Sequence, residues 1–233
     1  MTLLLHQLRF ERKLFRRNPS AAFFNFVLPL VLLLLVASVF ADDDEELEIL
    51  IPGIAGMAIM ATTFTALAFN VVFLREQGLL KRIRGTPIPP GSYLGGLVGS
   101  AVVNAVVQVV LVFAIGKLFY DVDLPDEPGA VLLYAVIGVA AFAALGIAFA
   151  HAIPNFDAAG AYTNAVFLPL VFISGVFYSA DDLPPALEVI GEVLPLKHVI
   201  DGLAGDGIGA GLGIVAVWGA LGAILAVRYF RWD

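Results

Sequence analysis

The sequence predicts an all-α membrane fold with six spans and both termini in the cytoplasm. Three observations carry that prediction. Six apolar runs, Ala22–Ala41, Ile51–Leu74, Tyr93–Phe119, Ala130–Ile153, Ala161–Tyr178 and Ile208–Val227, each come near the ~20 residues that a helix needs to cross hydrocarbon. Eleven of the thirteen Lys and Arg residues fall on one side of these runs, which the positive-inside rule makes the cytoplasm. Charged residues are 14% of the chain and hydrophobic ones 60%, with a mean hydropathy of +0.94; a soluble domain carries about 25% charged residues. The runs show no alternation of period two, so a β-barrel does not fit. The whole chain, 1–233, reads as a single transmembrane domain.

Residues 1–20 come first. Leu4, Leu8, Leu14 and Phe15 share one side of a helix, with Arg9, Arg12, Lys13 and Arg16 elsewhere. That is the pattern of a basic amphipathic helix lying on the inner leaflet. Asn18-Pro19-Ser20 ends it before the first span. The first span is too long for a signal-peptide core, although Val39-Phe40-Ala41 before Asp42 has the form of a cleavage site. Pro29 in the first span and Pro169 in the fifth should each kink their helix.

The acids sort opposite to the bases. Asp42 to Glu48, Asp121 to Glu127 and Asp181 to Asp206 together hold sixteen of the twenty carboxylates, all on the external side. Dense external carboxylates suit a high-salt exterior, where repulsion is screened, and point to a halophilic prokaryote. Lys117 and Lys197 are the two bases left on that side.

Two segments between spans have helical patterning of their own. Residues 75–91 form the cytoplasmic loop between the second and third spans, and include "REQGLLKRIRGTP". Leu79, Leu80 and Ile83 make a small apolar face among Lys81, Arg82 and Arg84, with Gly78 before and Gly85 and Pro87 after. A helix this short needs a partner to stay folded. Residues 179–206 form the longest external segment. Leu183, Leu187, Ile190 and Leu194 recur at helical spacing, Asp181 and Asp182 stand at the N-cap, and Pro195 stops the helix. This predicts an amphipathic hairpin against the outer surface, dipping into it.

Some chemistry is excluded. Without cysteine there are no disulfides, thiolate ligands or cysteine nucleophiles. No ionisable residue lies in the middle of a span, which argues against a proton-coupled carrier. His6, His151 and His198 lack metal-protease spacing, and no phosphate-binding loop is present. No catalytic residue, metal ligand or resident cofactor is assigned, and no nucleic-acid partner is expected. Gly95-x-x-x-Gly99 and Gly209-x-x-x-Gly213 permit close helix packing.

The loop and the external segment together resemble one family. "LREQGLLKRIRGTPIPPGSYLGG" is similar to the loop between helices two and three of type-2 ABC-transporter permeases, the drug- and polysaccharide-exporter kind. "FISGVFYSADDLPPALEVIGEVLPLKHVIDGL" is similar to their last external segment. Lys81 departs from the pattern, where an acid is common, and so does Asp201-Gly202-Leu203-Ala204, which lacks a following base. The resemblance implies a permease that is not itself an enzyme. Two copies, or one copy and a relative, would pair with two cytoplasmic ATPase subunits that carry the ATP and Mg. The ATPase would dock on a coupling helix comprising Arg75, Glu76, Gly78, Leu79, Leu80, Arg82, Ile83, Arg84, Thr86 and Pro87. Thr63, Asn70, Asn164 and Phe167 would face the substrate path, and Ser174, Gly175, Leu183 and Pro184 would form an external gate. The uncharged interior favours export of an amphipathic drug, lipid or lipid-linked glycan, as in multidrug efflux, with membrane lipids as further partners. A channel, scaffold or lipid-binding assembly subunit that uses no ATP is the competing class.

Overall fold

The computed structural model describes Lys13, Arg17, Pro19 and residues 23–39, 44–85, 90–179, 183–205 and 207–229. The amphipathic helix expected over residues 1–20 therefore lies almost wholly outside the described residues, as do Asp42, Asp43, Asp181 and Asp182. Among the described residues all regular structure is helical.

A π-helical turn, Phe23–Val27, leads into α1 (Leu28–Ala37). Pro29 sits in the first turn of α1, where its missing N–H costs least. Next come α2 (Asp44–Met60), a second π-helical turn (Ala61–Thr65) and α3 (Ala66–Glu76), which make one continuous helix. Then follow α4 (Leu79–Arg84), α5 (Pro90–Tyr120), α6 (Pro128–Phe149) and α7 (Phe156–Ile173). Two short helices, α8 (Pro185–Gly191) and α9 (Pro195–Ala204), precede α10 (Ala210–Tyr229).

Among the described residues, five helical stretches are long and apolar enough to span a membrane: Glu45–Glu76, Gly95–Tyr120, Pro128–Phe149, Phe156–Ile173 and Ala210–Tyr229. They correspond to the second through sixth predicted spans. The first predicted span appears as the shorter apolar helix Leu28–Ala37. The second span starts earlier than its apolar run. Glu45, Glu46 and Glu48, expected in a loop, form the opening turns of α2, where carboxylates favour the positive end of a helix dipole.

Helix α6 is the hub, packing against α10, α9, α5, α2 and α3. Its glycines let neighbours approach closely. A Cβ on Gly146 would lie 2.5 Å from the Phe64 carbonyl oxygen, and one on Gly138 would lie 2.9 Å from Val199. By contrast, Gly209 and Gly213 have nothing within 4 Å of a built Cβ, so this Gly-x-x-x-Gly pair makes no close contact within the chain. The close approaches on α10 are instead at Gly211, against His198 of α9, and at Gly219 and Gly222, against α6.

The external segment differs from the prediction in one respect. Pro195 does not only end a helix; it opens the next one, at the first position of α9. Seven α9 residues are buried, from Pro195 to Leu203, so this helix is a plug inside the bundle rather than a surface element. Gly205 closes it with φ +104°, a left-handed conformation that glycine adopts without strain.

Candidate functional site

One end of the bundle is basic and the other acidic, and each holds part of the candidate site. At the basic end, Arg75 in the last turn of α3 donates to the carbonyls of Ala150 (3.2 Å) and Ile153 (2.5 Å). Glu76 accepts from the backbone N–H of Phe156 at 2.6 Å, at the start of α7. Asn155 caps the same helix by accepting from the Ala158 N–H at 2.8 Å. Arg75 and Glu76 thus tie the α6–α7 turn to α3.

Gly78 has φ +64°, which lets the chain turn sharply from α3 into α4. Leu79 is half-buried, and Lys81 and Arg82 are exposed. Leu80 corrects the sequence reading. The sequence groups it with an apolar face for an outside partner, but it is 1% exposed and packs with Leu67, Val71, Val72 and Tyr93 within the chain. The short helix finds its stabilising partner in its own chain. Ile83 and Arg84 are helical, but their side chains lie outside the described residues, as do Thr86 and Pro87.

An apolar groove of about 850 Å³ rises from this end. Arg75, His151, Ala152 and Tyr229 stand at its mouth; Phe64, Phe142, Leu145 and Val166 form its walls; Leu194, Pro195 and Trp218 lie at its far end. The Trp218 indole N–H donates to the Val193 carbonyl at 2.8 Å, which pins the α8–α9 connection above the groove.

At the acidic end lies a polar vestibule of about 1050 Å³. Glu45, Glu48, Asp123, Asp126 and Asp201 contribute carboxylates to its lining, with Lys197 among them. Lys197 pairs with Asp201 at 3.0 Å and Glu192 at 3.1 Å. Burial opposes its charge, but the Asp201 and Glu192 carboxylates outweigh that and raise its pKa. Lys117 pairs likewise with Asp121 (3.0 Å) and Asp123 (3.1 Å). The two basic residues that break the charge asymmetry are therefore both held by acids.

Helix α9 stands between the two cavities. Pro195 touches the groove, while Lys197, Ile200, Asp201 and Ala204 line the vestibule. The continuous α2–α3 helix also serves both, with Ile51 and Pro52 on the vestibule and Met60 and Phe64 on the groove.

The residues assigned to a substrate path do not come together here. Thr63 is fully buried and donates to the Ile59 carbonyl at 2.6 Å. Asn70 and Phe167 are half-buried, Asn164 is exposed on α7, and none of the four lines the groove. Two of the gate residues, Ser174 and Gly175, do line the vestibule. Ser174 is 2% exposed, and its hydroxyl has no hydrogen-bond partner. Leu183 and Pro184 lie apart from it, just before α8.

The π-helical turn at Ala61–Thr65 was missed by sequence reasoning. Its signal was Thr62-Thr63-Phe64-Thr65. The Thr62 hydroxyl donates to the Ala58 carbonyl and that of Thr63 to Ile59, in competition with the backbone ladder. Such widened turns often mark functional sites. This one carries Phe64 at the groove wall.

The chain matches the family model for the ABC-2 type transporter over residues 2–205. It is 23% identical over 184 residues to the inner membrane transport permease YadH of Escherichia coli (strain K12), across 78% of this chain and 72% of that protein. It is 27% identical over 196 residues to the daunorubicin resistance ABC transporter permease protein DrrB1 of Streptomyces coeruleorubidus, across 79% and 67%. A shorter stretch of 74 residues is 39% identical to nodulation protein J of Rhizobium leguminosarum bv. viciae, across 30% and 29%. With its several membrane-spanning helices, the chain belongs to the ABC-2 type transporter family and is a multi-pass membrane permease component of an ABC transporter.

Proposed function

We propose that this permease exports an amphipathic substrate, with the basic end of the bundle in the cytoplasm. The observation that carries the reading is the pair of cavities at opposite ends of one bundle, separated by the buried helix α9. An apolar groove on the cytoplasmic side suits entry of a drug, lipid or lipid-linked glycan. A hydrated acidic vestibule suits release. Alternating access then amounts to displacing α9 and the connection that Trp218 holds.

In this reading α1, with the π-helical turn before it, is the core of a sixth span. Two permeases, identical or related, pair with two ATPase subunits that supply ATP and Mg. The docking surface on α4 is reduced to Leu79, Lys81, Arg82, Ile83 and Arg84, followed by Thr86 and Pro87. Gly78 sets its angle, Leu80 fixes it to the permease, and Arg75 and Glu76 relay its movement to the α6–α7 turn. Thr63, Asn70, Asn164 and Phe167 would reach the path only in another conformation or across the permease pair.

The test is co-reconstitution with the partner ATPase in liposomes. ATP-dependent movement of a fluorescent amphipath from the α4 side to the Glu45 side is expected. Movement the other way, or none with an ATPase shown to bind, overturns the reading. Orientation is checked separately in cells, using a chain with no native cysteine. Cysteine at Asp44 should react with an impermeant maleimide from outside, and cysteine at Gly78 should not.

A further inference from the structure

The groove at the basic end has a feature that transport does not explain. Arg75 sits at its mouth, yet its guanidinium is bonded only to neutral backbone carbonyls. Among the described residues it forms no ion pair. A guanidinium has five N–H donors in a planar fork, a geometry that suits phosphate. Position reinforces the point, because Arg75 is the next-to-last residue of the apolar span Glu45–Glu76, at its basic end.

The length of the groove is also informative. From Trp218 to Tyr229 along α10 is about 16 Å at 1.5 Å per residue, which is roughly half the ~30 Å hydrocarbon thickness. The groove is therefore one leaflet deep, with a polar mouth and an apolar interior closed by Pro195 and Trp218. Its flanks are open within the chain. Only 17% of the α7 span and 11% of the α10 span are buried within the chain.

We propose that the groove is a resident phospholipid site. One acyl chain of an anionic lipid from the leaflet at the basic end lies between α6, α7 and α10, with its phosphate on Arg75. The tail covers Phe142, Leu145 and Leu225, apolar surface that water would otherwise wet. The phosphate supplies the anion that the chain does not. The groove is also the entry proposed above for cargo, so the inference rests on that reading to this extent: the lipid fills the groove whenever cargo does not.

The experiment is native mass spectrometry of the delipidated full chain, titrated with phosphatidylglycerol or with the phosphate-free diacylglycerol of the same tails. One phosphatidylglycerol should be retained per chain, with a preference of about tenfold, the size of one charge-assisted hydrogen bond. Ala148→Trp and, separately, Leu225→Trp fill the groove from two sides and should abolish retention. Leu225 faces lipid, so its variant keeps the fold whether or not the Ala148 variant does. Arg75→Lys should keep the headgroup preference, whereas Arg75→Gln should lose the preference but still hold a tail. Retention that survives Leu225→Trp with the same preference overturns the site. So does a disulfide between two Leu225→Cys chains in native membranes with no lipid retained, which would mean that a second copy fills the groove.

Discussion

The α2–α3 helix and α10 are comparably apolar, and both cross the bundle from end to end. Within the chain, however, 61% of the first is buried and only 11% of the second. Hydropathy cannot separate them, because lipid is as apolar as a protein interior. What separates them is how many sides are packed: α10 also makes close approaches, at Gly211, Gly219 and Gly222, but only where it meets α9 and α6. Gly53 on α2 sits so close to the Val176 carbonyl that no Cβ would fit, whereas a Cβ on Gly213 of α10 would meet open space. Thr62 and Thr63 keep their hydroxyls on their own backbone. The central helix is packed on most of its sides, and the outer one is packed within the chain on few of them.

The strongest way to break this comparison lies just past the end of the central helix. Leu80 docks α4 on the core, and Leu80→Asp would bury an unpaired charge, a change that costs about 3–5 kcal/mol when it cannot be relieved. The permease should lose folded yield in detergent, measured by size-exclusion chromatography. Lys81→Gln with Arg82→Gln should leave folding unchanged, since both side chains are exposed. That pair should instead slow ATPase association and weaken its salt dependence. Equal folded yield for the two variants would return Leu80 to the docking surface.

Next in size is the glycine contrast. Gly53→Ala drives a methyl into the Val176 backbone and should destabilise by about 1–3 kcal/mol, the usual cost of overpacking. Gly213→Ala should change the thermal midpoint little, within about 0.5 kcal/mol as at other uncrowded surface sites. Comparable losses at both positions would mean that α10 is covered by another protein surface, such as a second permease.

A smaller effect is expected at Arg75. Arg75→Gln removes donors from the Ala150 and Ile153 carbonyls, each charge-assisted bond contributing about 1.5–3 kcal/mol, partly recovered by water at this half-exposed site. Limited proteolysis of the α6–α7 turn should accelerate while the spans stay intact. An unchanged cleavage rate would deny the clamp its structural role.

Much of the architecture was legible in the sequence, for a physical reason. A run of apolar residues long enough to span hydrocarbon can form little but a helix there, so the second through sixth spans were found. Pairing was not legible. Nothing in Gly209-x-x-x-Gly213 distinguishes it from Gly219 and Gly222, yet only the latter meet α6. Leu79, Leu80 and Ile83 look alike along the chain, and only the fold shows that Leu80 points inward. Polarity and the family resemblance together point to Asn164 as a path residue, while the groove is lined by Phe64, Phe142 and Trp218, which read as ordinary span residues.

The smallest predicted effect bears most directly on mechanism. Trp218 is a polar tie on a largely apolar helix, and its partner is the Val193 carbonyl beside α9. Trp218→Phe keeps an aromatic ring and removes one hydrogen bond, worth about 0.5–1.5 kcal/mol. Global stability should barely move. If displacement of α9 is what connects the two cavities, the same free energy shifts that equilibrium by roughly two- to tenfold. Cysteine placed at Ile200, on the vestibule side of α9, should then react faster with a soluble maleimide in the variant than in the parent background. An unchanged rate would leave the tie as simple packing and place the moving part elsewhere in the central helix.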